Sequence, residues 1–312
     1  MKTLVLNEAD LRALALGHGL RLAMRESLAA LSRGAAKNHP RHVLPLSEGA
    51  LGVMAAETPE LVGYKAVAVT PANSAKGLNP HQGLVVLLDR QTGRVQALLE
   101  GSALTALRTA AVSAAAADVL ARPEASHLAL IGAGLQAVEH ARAFTQIRRL
   151  KHISLFNRTA AKAEVLRRTL AGEFALPVTV ADTACEAVAG ADLVITVTSA
   201  KEPLLNSADF AAGAHVTAVG ACRPGFREIE LGPECKVFVD SNAACAAEAD
   251  ELASVKTQGE IGLCFAGTLA GRERPEDVTV FKSVGLGVED IFAARFFVRA
   301  ARASGRGQEI QL

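Results

Sequence analysis

Apolar residues along this chain recur in two rhythms, and the rhythm changes near residue 121. Before that point, short strand-like runs follow one another closely at 50–56, 61–70, 84–89 and 94–99. Short turns join the later ones, and Asp89-Arg90-Gln91-Thr92-Gly93 fits a hairpin loop. Ahead of them stand a strand at 3–6 and a helical segment reaching residue 32. Asn7 is placed as the helix N-cap, with Glu8 and Asp10 in the first turn, where the helix dipole favours acids. Residues 33–45 are polar and proline-bounded, and read as a loop containing His39-Pro40-Arg41-His42. The pattern predicts an α+β region with a mainly antiparallel sheet. A helix at 102–121 follows, kept thin by Ala103, Ala106, Ala110, Ala111 and Ala114 to Ala117. Thr105, Arg108 and Thr109 share one of its faces, and Pro123 ends it.

Beyond residue 122 strands and helices alternate. Strands are expected at 128–131, 153–156, 178–180, 193–198, 215–219, 237–239 and 278–283, with helices at 138–148, 160–170 and 185–188. Such alternation predicts a doubly wound, mainly parallel sheet of Rossmann type. A last helix at 289–303 is too apolar to lie free and is expected to return to the first region or cover an interface. The expected division is therefore 1–121 with 289–312 as one domain, and 122–288 as a dinucleotide-binding domain.

The run Leu128-Ala129-Leu130-Ile131 leads directly into Gly132-Ala133-Gly134-Leu135-Gln136-Ala137, a G-x-G-x-x-G/A turn between strand and helix. Gly132 allows the tight turn, Gly134 lets the backbone approach a pyrophosphate, and Ala137 permits close helix packing. The diphosphate would rest on the N–H groups at the new helix's start. After the second strand the chain offers Asn157-Arg158-Thr159 in place of an acid. Nothing there repels a ribose 2′-phosphate, and the Arg158 guanidinium can pair with one. NADP(H) is the expected cofactor, with NAD(H) possible.

Composition removes other classes. Half of the 312 residues are hydrophobic and the formal net charge is +1, so no nucleic acid is expected as partner. No uninterrupted apolar run has membrane-spanning length, and residues 1–10 lack a signal-peptide pattern. Five scattered cysteines form no C-x-x-C pair; they read as reduced thiols of a cytoplasmic protein, with no metal site.

An anionic substrate needs fixed cations, and the candidates are Arg41, Lys65 within Tyr64-Lys65-Ala66-Val67, and Arg108 on the alanine-rich helix. Two planar guanidinium forks and one movable ammonium suit a carboxylate. Each also has a plainer reading: a surface loop charge for Arg41, the solvent face of a strand for Lys65, cofactor phosphate for Arg108.

With these segments in view, the chain resembles the ornithine cyclodeaminase/μ-crystallin family over nearly its whole length. The resemblance rests on Arg41, Gly63-Tyr64-Lys65, Leu107-Arg108-Thr109-Ala110-Ala111, the glycine turn and Ala218-Val219-Gly220-Ala221. Phe281-Lys282-Ser283-Val284-Gly285 with Glu289-Asp290 also fits. It implies a homodimer with an N-terminal substrate and dimerisation domain and a Rossmann domain. By position it assigns Arg41, Lys65 and Arg108 to the substrate carboxylate. The glycine turn, Asn157, Arg158, Thr159, Thr198, Val219 and Ser283 fall to the cofactor. Ornithine cyclodeaminases carry an Asp in the loop after residue 219, where this chain has Cys222, and an acid before a Met of an early strand, where Gly52 stands. The loop with its Arg223-Pro224 is more similar to that of ketimine reductases. The reading is an NADPH-dependent reductase of cyclic ketimine carboxylates acting on a small imino or amino acid, without a membrane partner. Lys65 or a water is the expected proton donor, His81 a candidate to line the pocket, and Cys222 a group that shapes it. The alternatives are an ornithine cyclodeaminase or amino-acid dehydrogenase, and a non-catalytic NADPH-binding protein.

Overall fold

Period-two burial governs the first hundred residues: Gly52, Met54 and Ala56 of one strand and Leu61, Gly63 and Lys65 of the next all face inward. The structure, a computed structural model, describes residues 2–15, 17–220 and 222–312, with Ser74 described for its backbone alone. The chain divides into two units, one running to Arg108 and taking in Leu286–Leu312, the other Thr109–Gly285.

The first unit opens with β1 (Lys2–Leu6), α1 (Glu8–Leu14) and α2 (Gly19–Ser32). Asn7 caps α1 as expected, its side chain accepting from the Asp10 N–H at 2.9 Å while Asp10 reaches back to the Asn7 N–H. Then come β2 (Lys37–Asn38), β3 (His42–Leu46), β4 (Gly49–Glu57), β5 (Leu61–Val69), β6 (His81–Asp89) and β7 (Val95–Glu100). Strands β4 to β7 are antiparallel neighbours, and the Asp89–Gly93 turn is a hairpin closed by the Gly93 N–H on the Asp89 carbonyl. One expectation fails here. Residues 37–38 and 42–46 are not loop but β2 and β3, both paired to β4; β3 is an exposed edge strand, and its Pro45 lacks an N–H, which an edge position tolerates.

Helix α3 (Gly101–Leu120) is long and apolar enough to cross a membrane by composition, and most of it is buried in the protein. The two-unit division falls within it, after Arg108, whereas the sequence reading placed the boundaries after 121 and 288. The reason is packing: Ala114, Ala117 and Ala121 join the core of the second unit.

That unit holds β8 (His127–Ile131), α4 (Leu135–Ile147), β9 (His152–Phe156), α5 (Ala160–Phe174), β10 (Val178–Val180), α6 (Ala184–Val188) and β11 (Leu193–Thr196). It continues through β12 (Leu205–Asn206), β13 (His215–Ala218), β14 (Ile229–Glu230), β15 (Lys236–Val239), α7 (Asn242–Glu248), β16 (Thr257–Glu260), α8 (Ile261–Phe265) and β17 (Thr279–Lys282). The main sheet runs β10-β9-β8-β11-β13-β17-β15-β16 and is parallel throughout. Alternate residues of β8 serve opposite cores, Leu128 and Leu130 on one face and Ala129 and Ile131 on the other. This is a Rossmann-type doubly wound sheet, as the alternation of elements predicted.

The chain then returns to the first unit as α9 (Gly287–Ser304) and ends in β18 (Gln308–Gln311), which pairs with β1. The apolar helix expected at 289–303 thus packs on the first unit's own sheet. Its start is capped from afar, the Val288 N–H donating to Asn38 Oδ1 at 3.1 Å. Glycines let it come close: a Cβ at Gly63 would lie 2.9 Å from Ile291 Cγ2 and 2.6 Å from the Val86 carbonyl oxygen. Gly63→Ala is therefore expected to cost about 1–3 kcal/mol by overpacking. Urea unfolding of the variant against the parent measures it.

Candidate active site

Burial parity puts Lys65 on the inward face of β5, with 3% of its surface exposed, so its reading as a solvent-facing strand residue is overturned. An ammonium in that position requires a counter-charge, and the first turn of α9 supplies it. Lys65 Nζ lies 2.9 Å from Asp290 Oδ2 and donates to Oδ1 at 3.1 Å. Arg108, equally buried, donates from Nε to the same Oδ1 at 3.0 Å and from Nη1 to Glu289 Oε2 at 2.6 Å. Both acids sit where the helix dipole stabilises negative charge. Burial pulls Lys65 down to about 8 despite the opposing pull of Asp290, and Arg108 and Arg41 depress it further. Lys65 is thus a far stronger acid than an ordinary lysine.

Arg41, half-buried just before β3, is close enough to act on Lys65, so the three predicted cations do share one region. His81 does not join them. It is exposed at the start of β6, opposite Val69, whereas Lys65 stands opposite Val85, about 13 Å further along the strand. Asp290 and Glu289 entered the sequence reading only as part of a motif. Their role as counter-ions was not legible, because the bond to Lys65 spans 225 positions.

In the second unit, the predicted cofactor residues gather at the C-terminal edge of the parallel sheet. Gly132 follows β8 with φ +118°, and a Cβ there would meet the Val197 carbonyl oxygen at 2.9 Å. Gly134 is the N-cap of α4, exposed, with nothing near the place of a Cβ and no side chain capping the helix. Leu135 is exposed, Ala137 is fully buried, and Gln136 Oε1 is buried without a hydrogen-bond partner. An uncapped helix start with open space before it fits a diphosphate, and the orphaned amide oxygen leaves an acceptor for a ligand hydroxyl. Asn157 and Thr159 close a local turn after β9 through Asn157 Nδ2 and the Thr159 carbonyl at 3.0 Å, and Arg158 is exposed between them.

Thr198 and Val219 follow β11 and β13, and Ser283 follows β17, its hydroxyl donating to Asp240 Oδ2 at 2.9 Å. Ala221 of the quoted motif lies outside the described residues; Cys222 is partly exposed in the same loop and close enough to Lys282 to act on its ammonium. Among the described residues no cluster of His, Cys, Asp and Glu could hold a metal ion.

A glycine turn at the head of a doubly wound sheet defines a dinucleotide-binding protein, and the paired cations of the other unit suit an acidic substrate. A profile of the ornithine cyclodeaminase/mu-crystallin family matches residues 1–305, and the chain belongs to that family. It is 38% identical over 268 residues to a Delta(1)-pyrroline-2-carboxylate reductase of Bacillus cereus, covering 82% of each chain. It is also 38% identical over 263 residues to the ketimine reductase mu-crystallin of Mus musculus, again with 82% of each covered. The solved Delta(1)-pyrroline-2-carboxylate reductase of Thermococcus litoralis, in complex with NADH and L-proline, superposes with a TM-score of 0.92. The alignment is 27% identical and covers 99% of this chain and 100% of that one.

Removing Asp290 takes the carboxylate from buried Lys65 and one of two from Arg108, which keeps Glu289, so Asp290→Ala is expected to cost about 3–5 kcal/mol. Asp290→Asn, which keeps an acceptor, costs less. Denaturant unfolding of both variants tests the order.

Proposed function

We propose that the protein is an NADPH-dependent reductase of cyclic ketimine carboxylates, converting 1-pyrroline-2-carboxylate or 1-piperideine-2-carboxylate to L-proline or L-pipecolate. The observation that carries this reading is the buried cluster of Lys65 and Arg108 on Asp290 and Glu289. Arg41 is near enough to act on Lys65, and three cations gathered in one region suit a carboxylate from a substrate. The relatives that carry the names pyrroline-2-carboxylate reductase and ketimine reductase support the same reaction class.

Bound NADPH supplies the hydride that the imine carbon accepts. Arg41, Lys65 and Arg108 hold the substrate carboxylate, which fixes the reacting carbon; positioning is the main catalytic resource of such a site. Lys65 is the proton donor to the imine nitrogen: its ammonium is held at about 8, near neutral pH, where a general acid works best. Asp290 keeps that ammonium in place. A cyclodeaminase reading lacks its acids, since Cys222 and Gly52 stand at their positions.

The protein works as a cytoplasmic homodimer. Val43, Leu44 and Leu46 of edge strand β3 are all more than half exposed, and an apolar edge of this kind favours a second copy over water. Its first unit is the substrate and dimerisation domain, its second the cofactor domain.

The test is a panel of cyclic ketimines and free ornithine, run with NADPH and NADH. Ketimine-dependent NADPH oxidation is expected; ammonia from ornithine with no imine reduction refutes the reading. The acid form of Lys65 is the active one, so kcat should hold below about pH 8 and fall roughly tenfold per unit above it. For the cofactor, Arg158→Ala should weaken NADPH by about 1.5–3 kcal/mol, the range of a hydrogen bond to a charged group. NADH binding should barely change, and titration of both nucleotides measures the difference.

A further inference from the structure

The second unit carries a buried charge cluster that the reading above leaves unused. Glu228 is fully buried, yet its carboxylate meets three donors: the Thr198 N–H at 2.5 Å, the Gly220 N–H at 2.8 Å and the Thr196 hydroxyl at 2.9 Å. The Glu228 N–H donates to Glu251 Oε1 at 2.6 Å, and Lys282 Nζ lies 2.5 Å from Glu251 Oε2. Thr196 and Lys282 are the last residues of β11 and β17, and Gly220 stands two residues beyond the end of β13. The cluster therefore lies directly beneath the C-terminal edge of the parallel sheet. Gly220 admits no side chain, because a Cβ would fall 2.4 Å from Glu228 Oε1.

A neutral acceptor would suffice to tie these strand ends together, and burying a carboxylate is costly. Burial, with Glu251 adding to it, holds the Glu228 carboxyl above the usual carboxylate range although Lys282 and the Thr198 N–H pull the other way; the three donors aimed at its two oxygens hydrogen-bond best to the ionised form. Among the described residues, two carboxylates, Glu228 and Glu251, face the Lys282 ammonium, so it does not cancel the whole field. The charge thus has a use beyond tying strands, and the ligand of a doubly wound sheet lies outside these strand ends. A reduced nicotinamide ring is neutral, and the ring left after hydride departure carries one positive charge.

We propose that Glu228, supported by Glu251 and Lys282, biases the crevice toward the oxidised, cationic nicotinamide and so favours loss of hydride to the substrate. The inference rests on the reading of the second unit as the cofactor domain. It makes Glu228 a positioning and electrostatic residue that acts through space and through the backbone of Thr198 and Gly220.

The experiment compares dissociation constants for NADP+ and NADPH, by calorimetry and cofactor fluorescence, in the full-length parent and in Glu228→Gln. Loss of one buried charge should raise the ratio of the NADP+ constant to the NADPH constant about five- to twentyfold, with NADPH itself held within about twofold. Should Glu228→Gln fail to fold, Glu251→Gln removes a charge from the same cluster and is expected to move the ratio the same way. A ratio unchanged in a folded variant, or equal weakening of both forms, overturns the inference and leaves a structural tie. A parent protein that binds neither nucleotide overturns the cofactor reading, and this inference with it.

Discussion

Burying charge without water is the constraint around which the first unit is built. Asp290 and Glu289 are fully buried, and so nearly are Lys65 and Arg108. None of the four is tolerable there alone, since an unpaired buried ion costs several kcal/mol. The pairing demands that the first turn of α9 come within hydrogen-bond reach of the inward face of β5. Gly63 and Gly287 allow that approach, because a side chain on either would meet backbone or Ile291. Asn38 caps the helix from a distant strand and fixes where that first turn begins. Lys65 and Arg108 are thus held by the same contacts that seat the helix.

The second unit uses carboxylates for a similar end. Asp240, after β15, accepts from the Ser283 hydroxyl and from the N–H groups of Val284 and Gly285, all between 2.8 and 2.9 Å. Glu228 does the same for Thr198 and Gly220. Two carboxyl groups therefore order the loops on one side of the sheet's C-terminal edge, while the start of α4 on the other side has no side-chain cap. One side of that edge carries buried acids and the other exposed N–H groups. A dinucleotide, with its anionic diphosphate and a nicotinamide that turns cationic, matches that polarity from end to end.

What was legible in the sequence was what is local. The glycine turn needs only neighbours in the chain, and so do the Asn7 cap and the Asp89 hairpin; all three stand where their residue types place them. Strand β3 was missed because Pro45 and the flanking histidine and arginine read as loop, while its pairing partner β4 supplies the order. Strand β18 is polar and short, and only β1 makes it a strand. Lys65 could be named but not placed: its inward orientation follows from strand parity once the register is known. Asp290, Glu228 and Asp240 carry no local signal at all, since an acid in an ordinary stretch becomes a counter-ion only when a distant cation or strand end arrives beside it. Resemblance to the family carried the cations' roles, and spacing alone left each of them with a surface reading.

The loop after β13 shows how little separates the alternatives. Lys282 is fully buried, and burial alone would lower its proton affinity; Glu251 and Glu228 outweigh that and raise it, and Cys222 adds to the same effect. Position 222 is therefore within electrostatic reach of the cluster beneath the sheet edge. An aspartate there, as the resemblance implies for ornithine cyclodeaminases, would gather a third carboxylate around one ammonium. Either Lys282 would be drawn from Glu251 toward the loop, or the new acid would turn outward to find a cation in the ligand. With sulfur at 222, Lys282 stays with Glu251, and Glu228 keeps its hold on Thr198 and Gly220.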